Sequence, residues 1–215
     1  MVLSSTISLT AMPAALLADL APLPAAEHRR RRLLDAMAHV VSRKGYAAAT
    51  IADLAAEARV SRRTFYEHFA TKAECLIALY EAASDQALEV LKGAIDPQRD
   101  WHLQVEAALR TYFATLACNP AMLRTLFIAI LGLGADGLQA RRRANQRLAD
   151  FILNIVNATG KGHAALLPAP LAMGIVGGIN ELILQAIETD RADRLIELTE
   201  PAAQLVRAVI DGSRQ

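Results

Sequence analysis

Residues 58–72 read ARVSRRTFYEHFATK, and their spacing decides how the rest of the chain is read. Ser61 is a residue type that caps helix starts, and Phe65 and Phe69 recur at the helical interval of four. A short helix therefore begins at Arg62 with a single apolar stripe, and Arg62, Arg63, Tyr66 and His68 fall outside it. Upstream, Thr50 with Asp53 three residues on marks another helix start, followed by Ile51, Leu54, Ala55 and Ala58 at helical spacing. Only Arg59 and Val60 separate that helix from the Ser61 cap, which is the spacing of a helix-turn-helix.

The flanks extend the pattern. Leu33, Met37, Val40 and Val41 share one face of a first helix that begins near Glu27 and stops at Gly45. Thr71 and Glu74 repeat the capping signal and open a longer fourth helix with the stripe Leu76, Leu79, Ala83, Ala87 and Val90. Beyond Gly93 and Pro97, helices are expected over about 101–118, 121–131, 137–158, 171–188 and 193–210, with Pro201 kinking or restarting the last. No alternating strand pattern occurs, and the Ala- and Leu-rich composition with 5% aromatics fits an all-α chain. The expected organisation is an N-terminal arm over 1–26, a three-helix head over 27–72 and a larger helical body over 73–215.

Charge follows the same division. Residues 27–72 hold ten Lys or Arg against five Asp or Glu, a net +5, and the whole chain is +1, so the remainder carries −4. A basic head on an acidic body suits contact with a polyanion through the head alone. At 53% hydrophobic and a mean hydropathy of +0.24, extensive disorder is excluded. The first residues lack the basic start of a signal peptide and contain Pro13, Pro22 and Pro24. The uncharged run before Glu181 is interrupted by Pro168 and Pro170, short of a clean membrane span. Cys75 and Cys118 suggest no disulfide framework, so a cytoplasmic protein without a membrane partner is expected.

In a helix-turn-helix the second helix lies in the major groove with its N-terminal residues at the base edges. Arg62 and Arg63 stand at that position, where an arginine fork matches guanine O6 and N7. Thr64 is suited to a thymine methyl or a phosphate, and Tyr66 and His68 to phosphate oxygens that set register. Lys72 lies in the first turn of the fourth helix, where the macrodipole disfavours a cation, and a phosphate would remove that conflict. Thr50 is placed to meet the backbone in the same way. The plainer reading, a solvated amphipathic helix, does not account for three successive caps, a two-residue turn and a local charge of +5.

The run from Thr50 to Glu81 resembles the DNA-binding head of the TetR/AcrR family of bacterial transcriptional repressors. Thr50, Ala55, Val60, Ser61, Thr64, Tyr66, His68, Phe69 and Lys72 carry the resemblance. The family usually places glycine where this chain has Arg59, which puts the detailed geometry of the turn in question. The resemblance implies a double-stranded DNA operator, a homodimer and a small-molecule effector that releases the protein from DNA. It implies dimer pairing through the last two helices, where Ile175, Ile179, Leu182 and Ile183 form one stripe and Leu205, Val206 and Val209 another. Gly174 and Gly178 would allow close helix approach, although both stripes fit a monomer core equally well. An implied ligand pocket in the body would draw on Trp101, Tyr112, Phe113, Met122, Phe127 and Ile130 as walls with His102, Gln104, Asn180 and Gln185 as polar contacts, and the mostly apolar lining suits a hydrophobic or amphipathic molecule.

Two other classes compete. The run GLGADG at 132–137 matches GxGxxG, but a dinucleotide site requires that turn inside a strand-helix-strand unit with an acid about twenty residues later, where Asn157 stands. No GxSxG, CxxC or HExxH motif occurs, so no enzyme, cofactor or metal is expected. A helical head that docks a protein instead of DNA would lack the salt dependence of phosphate contacts.

Overall fold

The computed structural model describes residues 25–96, 100–159 and 167–213, so the expected arm lies almost wholly outside the described residues. The described residues contain helices and no strand. They form two compact units, Met1–Cys75 and Leu76–Gln215, dividing inside the fourth helix.

In the first unit, helix α1 spans Ala25–Ala48 and buries Leu33, Leu34, Met37, Val40 and Val41 along one face. Gly45 interrupts it at φ 76° and ψ 161°, a region open essentially to glycine, so the helix kinks where the sequence predicts its end. Helix α2, Ile51–Glu57, starts at Thr50 in a complete capping box with Asp53. Helix α3, Arg62–His68, starts at Ser61, whose hydroxyl accepts from Thr64 N. Leu54 and Phe65 are fully buried with Leu33 and Met37, and Phe69 closes this core beside Phe65 at 5.8 Å between ring centres. Helix α4, Lys72–Gly93, is capped by Thr71 Oγ1, which accepts from Glu74 N at 3.0 Å. The Glu74 carboxylate accepts from Ala70 N at 2.6 Å, one residue before the cap itself.

The second unit continues with α5 (Trp101–Ala117), α6 (Pro120–Arg124), α7 (Gly134–Thr159), α8 (Ala169–Glu188) and α9 (Thr199–Gly212). The single helix expected over 121–131 is instead α6, a π-helical turn Thr125–Ala129 and a 3₁₀ turn Leu131–Leu133. The GLGADG run lies across that 3₁₀ turn and the start of α7, with no strand beside it. Gly134 has φ 64°, and a Cβ on Gly137 would stand 1.9 Å from Ile130 O, so both glycines serve a tight helix-to-helix connection. A 3₁₀ turn, Leu195–Leu198, precedes α9, and Pro201 sits in the first turn of α9, where a missing N–H costs little.

Helix α8 packs against α7 and α9, and α9 packs against α5. Phe113, Ile175, Ile183, Ile187, Leu195 and Ala202 are fully buried in one core. Gly178 lets α8 and α9 approach, since a Cβ there would come within 2.6 Å of Leu205 Cδ2 of the same chain. Two stretches, Pro120–Asn157 and Ala169–Glu188, are apolar enough to suggest membrane spans by composition. In α8 the apolar residues Ile175, Val176, Ile183 and Ile187 are those of the core, which accounts for its hydropathy.

Phe113 is the largest fully buried side chain of this unit. Phe113→Ala should lower unfolding free energy by about 3–5 kcal/mol. Urea titration followed by circular dichroism checks this, and a loss under about 1 kcal/mol would contradict the assigned core.

Candidate nucleic-acid interface and body cavity

Burial of Phe65 and Phe69 orients α3 and leaves Arg62, Arg63, Tyr66 and Glu67 exposed on its outer side. Arg62 and Tyr66 lie four apart on one row, and Arg63 and Glu67 on the next. Arg63 Nε is 3.4 Å from Glu67 Oε1, with the arginine side chain 90% exposed. Tyr66 is 57% exposed, unusual for a large aromatic ring and suited to a partner with flat or polar groups. Thr64 and His68 are half-buried at the flanks, and Thr64 Oγ1 lies 3.0 Å from Ser61 Oγ.

The turn into α3 is a Schellman arrangement. Val60 N donates to Ala55 O at 2.9 Å and Arg59 N to Ala56 O at 3.0 Å. Arg59 occupies the left-handed position at φ 51°, as the sequence departure from glycine suggests, at a cost of about 1 kcal/mol relative to glycine. Two carbonyls of this turn, those of Ala58 and Arg59, accept from Arg32 Nη2 on α1, the second at 3.2 Å.

Much of the positive charge of this unit is engaged internally. Arg43 Nη2 lies 2.7 Å from Glu57 Oε2, and His39 Nδ1 is 3.5 Å from Glu57 Oε1. The Arg43 guanidinium accordingly holds the Glu57 carboxyl below its ordinary range. Lys44 Nζ lies 2.5 Å from Asp53 Oδ2, which also accepts from Thr50 N at 2.8 Å and from Thr50 Oγ1. The Lys44 bond, then the Thr50 bonds, hold the Asp53 carboxyl far below the usual carboxylate range. Thr50 is exposed at the start of α2, with its hydroxyl turned to Asp53.

Lys72 has an internal task that the sequence did not announce. Its ammonium donates to Tyr46 O at 2.9 Å and Ala49 O at 2.8 Å and stands 4.3 Å from the centre of the Tyr46 ring. The conflict between a cation and the start of α4 is thus relieved by carbonyls at the end of α1. The sequence counts Arg32 and Lys44 in the head's charge but gives no task to them or to Tyr46, because their partners lie on other helices or on the backbone. Arg30, 5.4 Å from the centre of the Phe69 ring, belongs with them.

The second unit holds a cavity of about 110 Å³ walled by α4, α5, α7, α8 and α9. Leu91, Leu109, Phe151, Val176 and Val206 contribute apolar walls, and Tyr112 and Asn180 are the polar side chains among its lining. Asn180 Nδ2 donates to Asn145 Oδ1 at 3.0 Å, and burial pushes the Tyr112 phenol up from its ordinary pKa. Of the residues expected at a pocket, Tyr112 and Asn180 line this cavity. Phe113 is in the core, Trp101 and Phe127 pack against that core, Met122 is half-buried, and Gln185 is exposed.

The expected dimer stripes divide in the structure. Ile175 and Ile183 are fully buried within the protomer, while Ile179 and Val206 line the cavity. Those four face the inside of their own chain because α8 and α9 turn their most apolar rows toward α5 and α7. Leu182, Leu205 and Val209 remain half-exposed at the edge. Gly178 is filled by Leu205 of its own chain, whereas Gly174 faces open space.

Both cysteines are unpaired; Cys75 is buried with its thiol pushed up to about 12 by desolvation, and Cys118 is exposed. Among the described residues no cluster of His, Cys, Asp or Glu is arranged to hold a metal ion.

Residues 33–79 match the sequence profile of "Bacterial regulatory proteins, tetR family". The nucleoid occlusion factor SlmA of Photobacterium profundum is 26% identical over 165 residues, covering 73% of this chain and 84% of that protein. The HTH-type transcriptional activator FasR of Mycolicibacterium smegmatis is 28% identical over 101 residues, covering 47% of this chain and 46% of FasR. Among solved structures, the transcriptional regulator FadR of Bacillus subtilis in complex with stearoyl-CoA superposes with a TM-score of 0.66 at 20% identity, over 82% of this chain and 96% of that one. At that identity the likeness establishes a shared fold.

The Asp53 arrangement gives a pH prediction. A carboxyl whose folded pKa is depressed contributes stability above its unfolded value of about 3.9 and loses it as pH falls through the folded pKa. The Asp53 carboxyl should therefore titrate well below about 3.9 by NMR. Lys44→Met should move its midpoint upward, and α2 amide protection should then fail at higher pH than in the wild type. An unchanged midpoint would mean that the Lys44 pair is absent in solution.

Proposed function

We propose, for a chain whose residues 33–79 carry the DNA-binding head of the bacterial tetR family, that this TetR-family transcriptional regulator acts as a repressor. It binds a palindromic operator as a homodimer in the cytoplasm and is released by a small hydrophobic or amphipathic ligand. TetR-family regulators are non-enzymatic, and no reaction is assigned to it. The observation that carries the DNA reading is the outer face of α3, where Arg62, Arg63 and Tyr66 project together from a helix start fixed by Ser61. Arg62 and Arg63 are assigned to base edges, and Thr64, Tyr66 and His68 to the backbone or its margin. Thr50 and Lys72 stand behind them, Lys72 chiefly as an internal tie.

The dimer is assigned to the outer sides of α8 and α9, with Leu182, Leu205 and Val209 at its apolar edge and Gly174 offering close approach. Two heads related by a two-fold axis would read two half-sites. The ligand is assigned to the cavity, where apolar walls with no charged side chain favour an alkyl or aromatic group and require any charged head to remain outside. FadR, which shares the fold, was solved with stearoyl-CoA, a molecule with that division. Helix α4 supplies Lys72 to the head and Leu91 to the cavity wall, which makes it the natural route of coupling.

Selection of duplexes from a random library by the purified chain should recover a palindrome. Arg62→Ala should weaken binding to it by about 1–3 kcal/mol and relax preference at one position of each half-site. Enrichment of asymmetric sites, or of none by a folded dimer, would count against the reading. For the ligand, Ala108→Leu should fill part of the cavity and weaken medium-chain acyl probes about tenfold in calorimetry while leaving duplex affinity unchanged. Equal binding by both forms would place the ligand elsewhere.

A further inference from the structure

We infer that Arg32 is the positioning residue of the recognition helix, holding the left-handed α2–α3 turn in the shape that aims Arg62 and Tyr66. The inference rests on the DNA-binding reading of α3 but concerns a residue on a different helix. The Schellman bonds satisfy the carbonyls of Ala55 and Ala56 and leave those of Ala58 and Arg59 for another donor. Arg32, 26 residues upstream of Ala58, supplies both bonds from Nη2. A guanidinium suits this task because its donors are planar and fixed relative to one another, unlike those of a rotating ammonium.

The need for such a tie comes from Arg59. At φ 51° a residue with a Cβ gains by returning to negative φ, and glycine would not. A return would swing the carbonyls on both sides of the turn and alter the direction in which α3 leaves it. Arg32 grips those two carbonyls, so relaxation of the turn requires both bonds to break. The carboxylates of Asp35 and Glu57 line the same groove as Arg32 and Arg59, which offsets the repulsion of two guanidinium groups. Arg32 also places its charge at the C-terminal end of α2, where the helix dipole favours a cation.

The test compares the wild type with Arg32→Ala, Arg32→Lys, Arg59→Gly and the double variant Arg32→Ala/Arg59→Gly, well below the unfolding temperature. Two quantities are read: amide hydrogen exchange at Arg59 and Val60, and affinity for the duplex that the wild type enriches. Arg32→Ala should raise exchange and weaken duplex binding, each about tenfold, with Arg32→Lys intermediate. The double variant should lie within about threefold of the wild type in both, because glycine holds the turn without the tie. Unchanged exchange in Arg32→Ala, or a double variant as weak as the single, would overturn the inference. So would uniform acceleration at core amides such as Leu33 and Leu54, which marks general destabilisation. If the wild type enriches no duplex, the DNA reading fails while the exchange measurements still decide the role of Arg32.

Discussion

A helix of seven residues does not persist in water by itself. Nucleation costs more than two turns of hydrogen bonds return, and isolated helices need about 12–15 residues to be even marginal. Helices α2 and α3 are each seven residues long, so their existence depends on their ends and on the surface they bury. Thr50 and Ser61 satisfy the first amides, the Schellman bonds satisfy the last carbonyls of α2, and Leu54 and Phe65 anchor the two helices in one core. The outward face of α3 lies outside that core, so its residues are less constrained by packing. That freedom explains why arginines and an exposed tyrosine can stand together there.

The charge of the head has two uses that composition cannot separate. Arg43 and Lys44 bind α1 to α2 through Glu57 and Asp53, and Lys72 binds the start of α4 to the end of α1. Arg43 and Lys44 are cancelled by their carboxylate partners, whereas Lys72, held by neutral carbonyls, keeps its charge at a fixed place. Arg62 and Arg63 differ: they are exposed and lie on the side of α3 opposite its buried phenylalanines. The net +5 already cancels Arg43 against Glu57 and Lys44 against Asp53, so on the proposed DNA-binding reading affinity should depend on where the remaining cations point as well as on their number.

Helix starts were legible in the sequence because a cap is local chemistry: Thr50 with Asp53 and Ser61 with Thr64 act within three residues. The existence of the turn at Arg59 and Val60 was legible from spacing, but its left-handed backbone was signalled only by the resemblance to a family that usually places glycine there. Arg32 was not, since its acceptors are backbone carbonyls that any residue carries, brought near by folding. Lys72 was legible as an anomaly, a cation at a helix start, but the partner that resolves it is Tyr46 O and Ala49 O in place of a phosphate. The segment 121–131 was expected as one helix because hydrophobic periodicity does not record a change from four- to five-residue hydrogen bonding and on to three.

Periodicity also leaves open which surface a stripe meets. Ile175, Ile179, Ile183 and Val206 have the spacing of an interface, and in this chain they face inward. Once those residues are assigned to the protomer, the flanks of α8 and α9 keep Leu182, Leu205 and Val209 half-buried, Leu182 and Val209 against the core and Leu205 against Gly178, beside exposed Glu181 and Gln204. An interface built there mixes modest apolar area with a polar rim, and shape must do more than hydrophobicity to hold two copies together. The same inward turn encloses the cavity, because Val176, Ile179 and Asn180 on α8 face Val206 and Ile210 on α9 across it. A ligand that enlarges this space pushes directly on the helices whose outer sides would form the dimer. On the proposed reading, with a ligand in this cavity and a second copy against these helices, effector binding and dimer geometry would be coupled through the thickness of two helices.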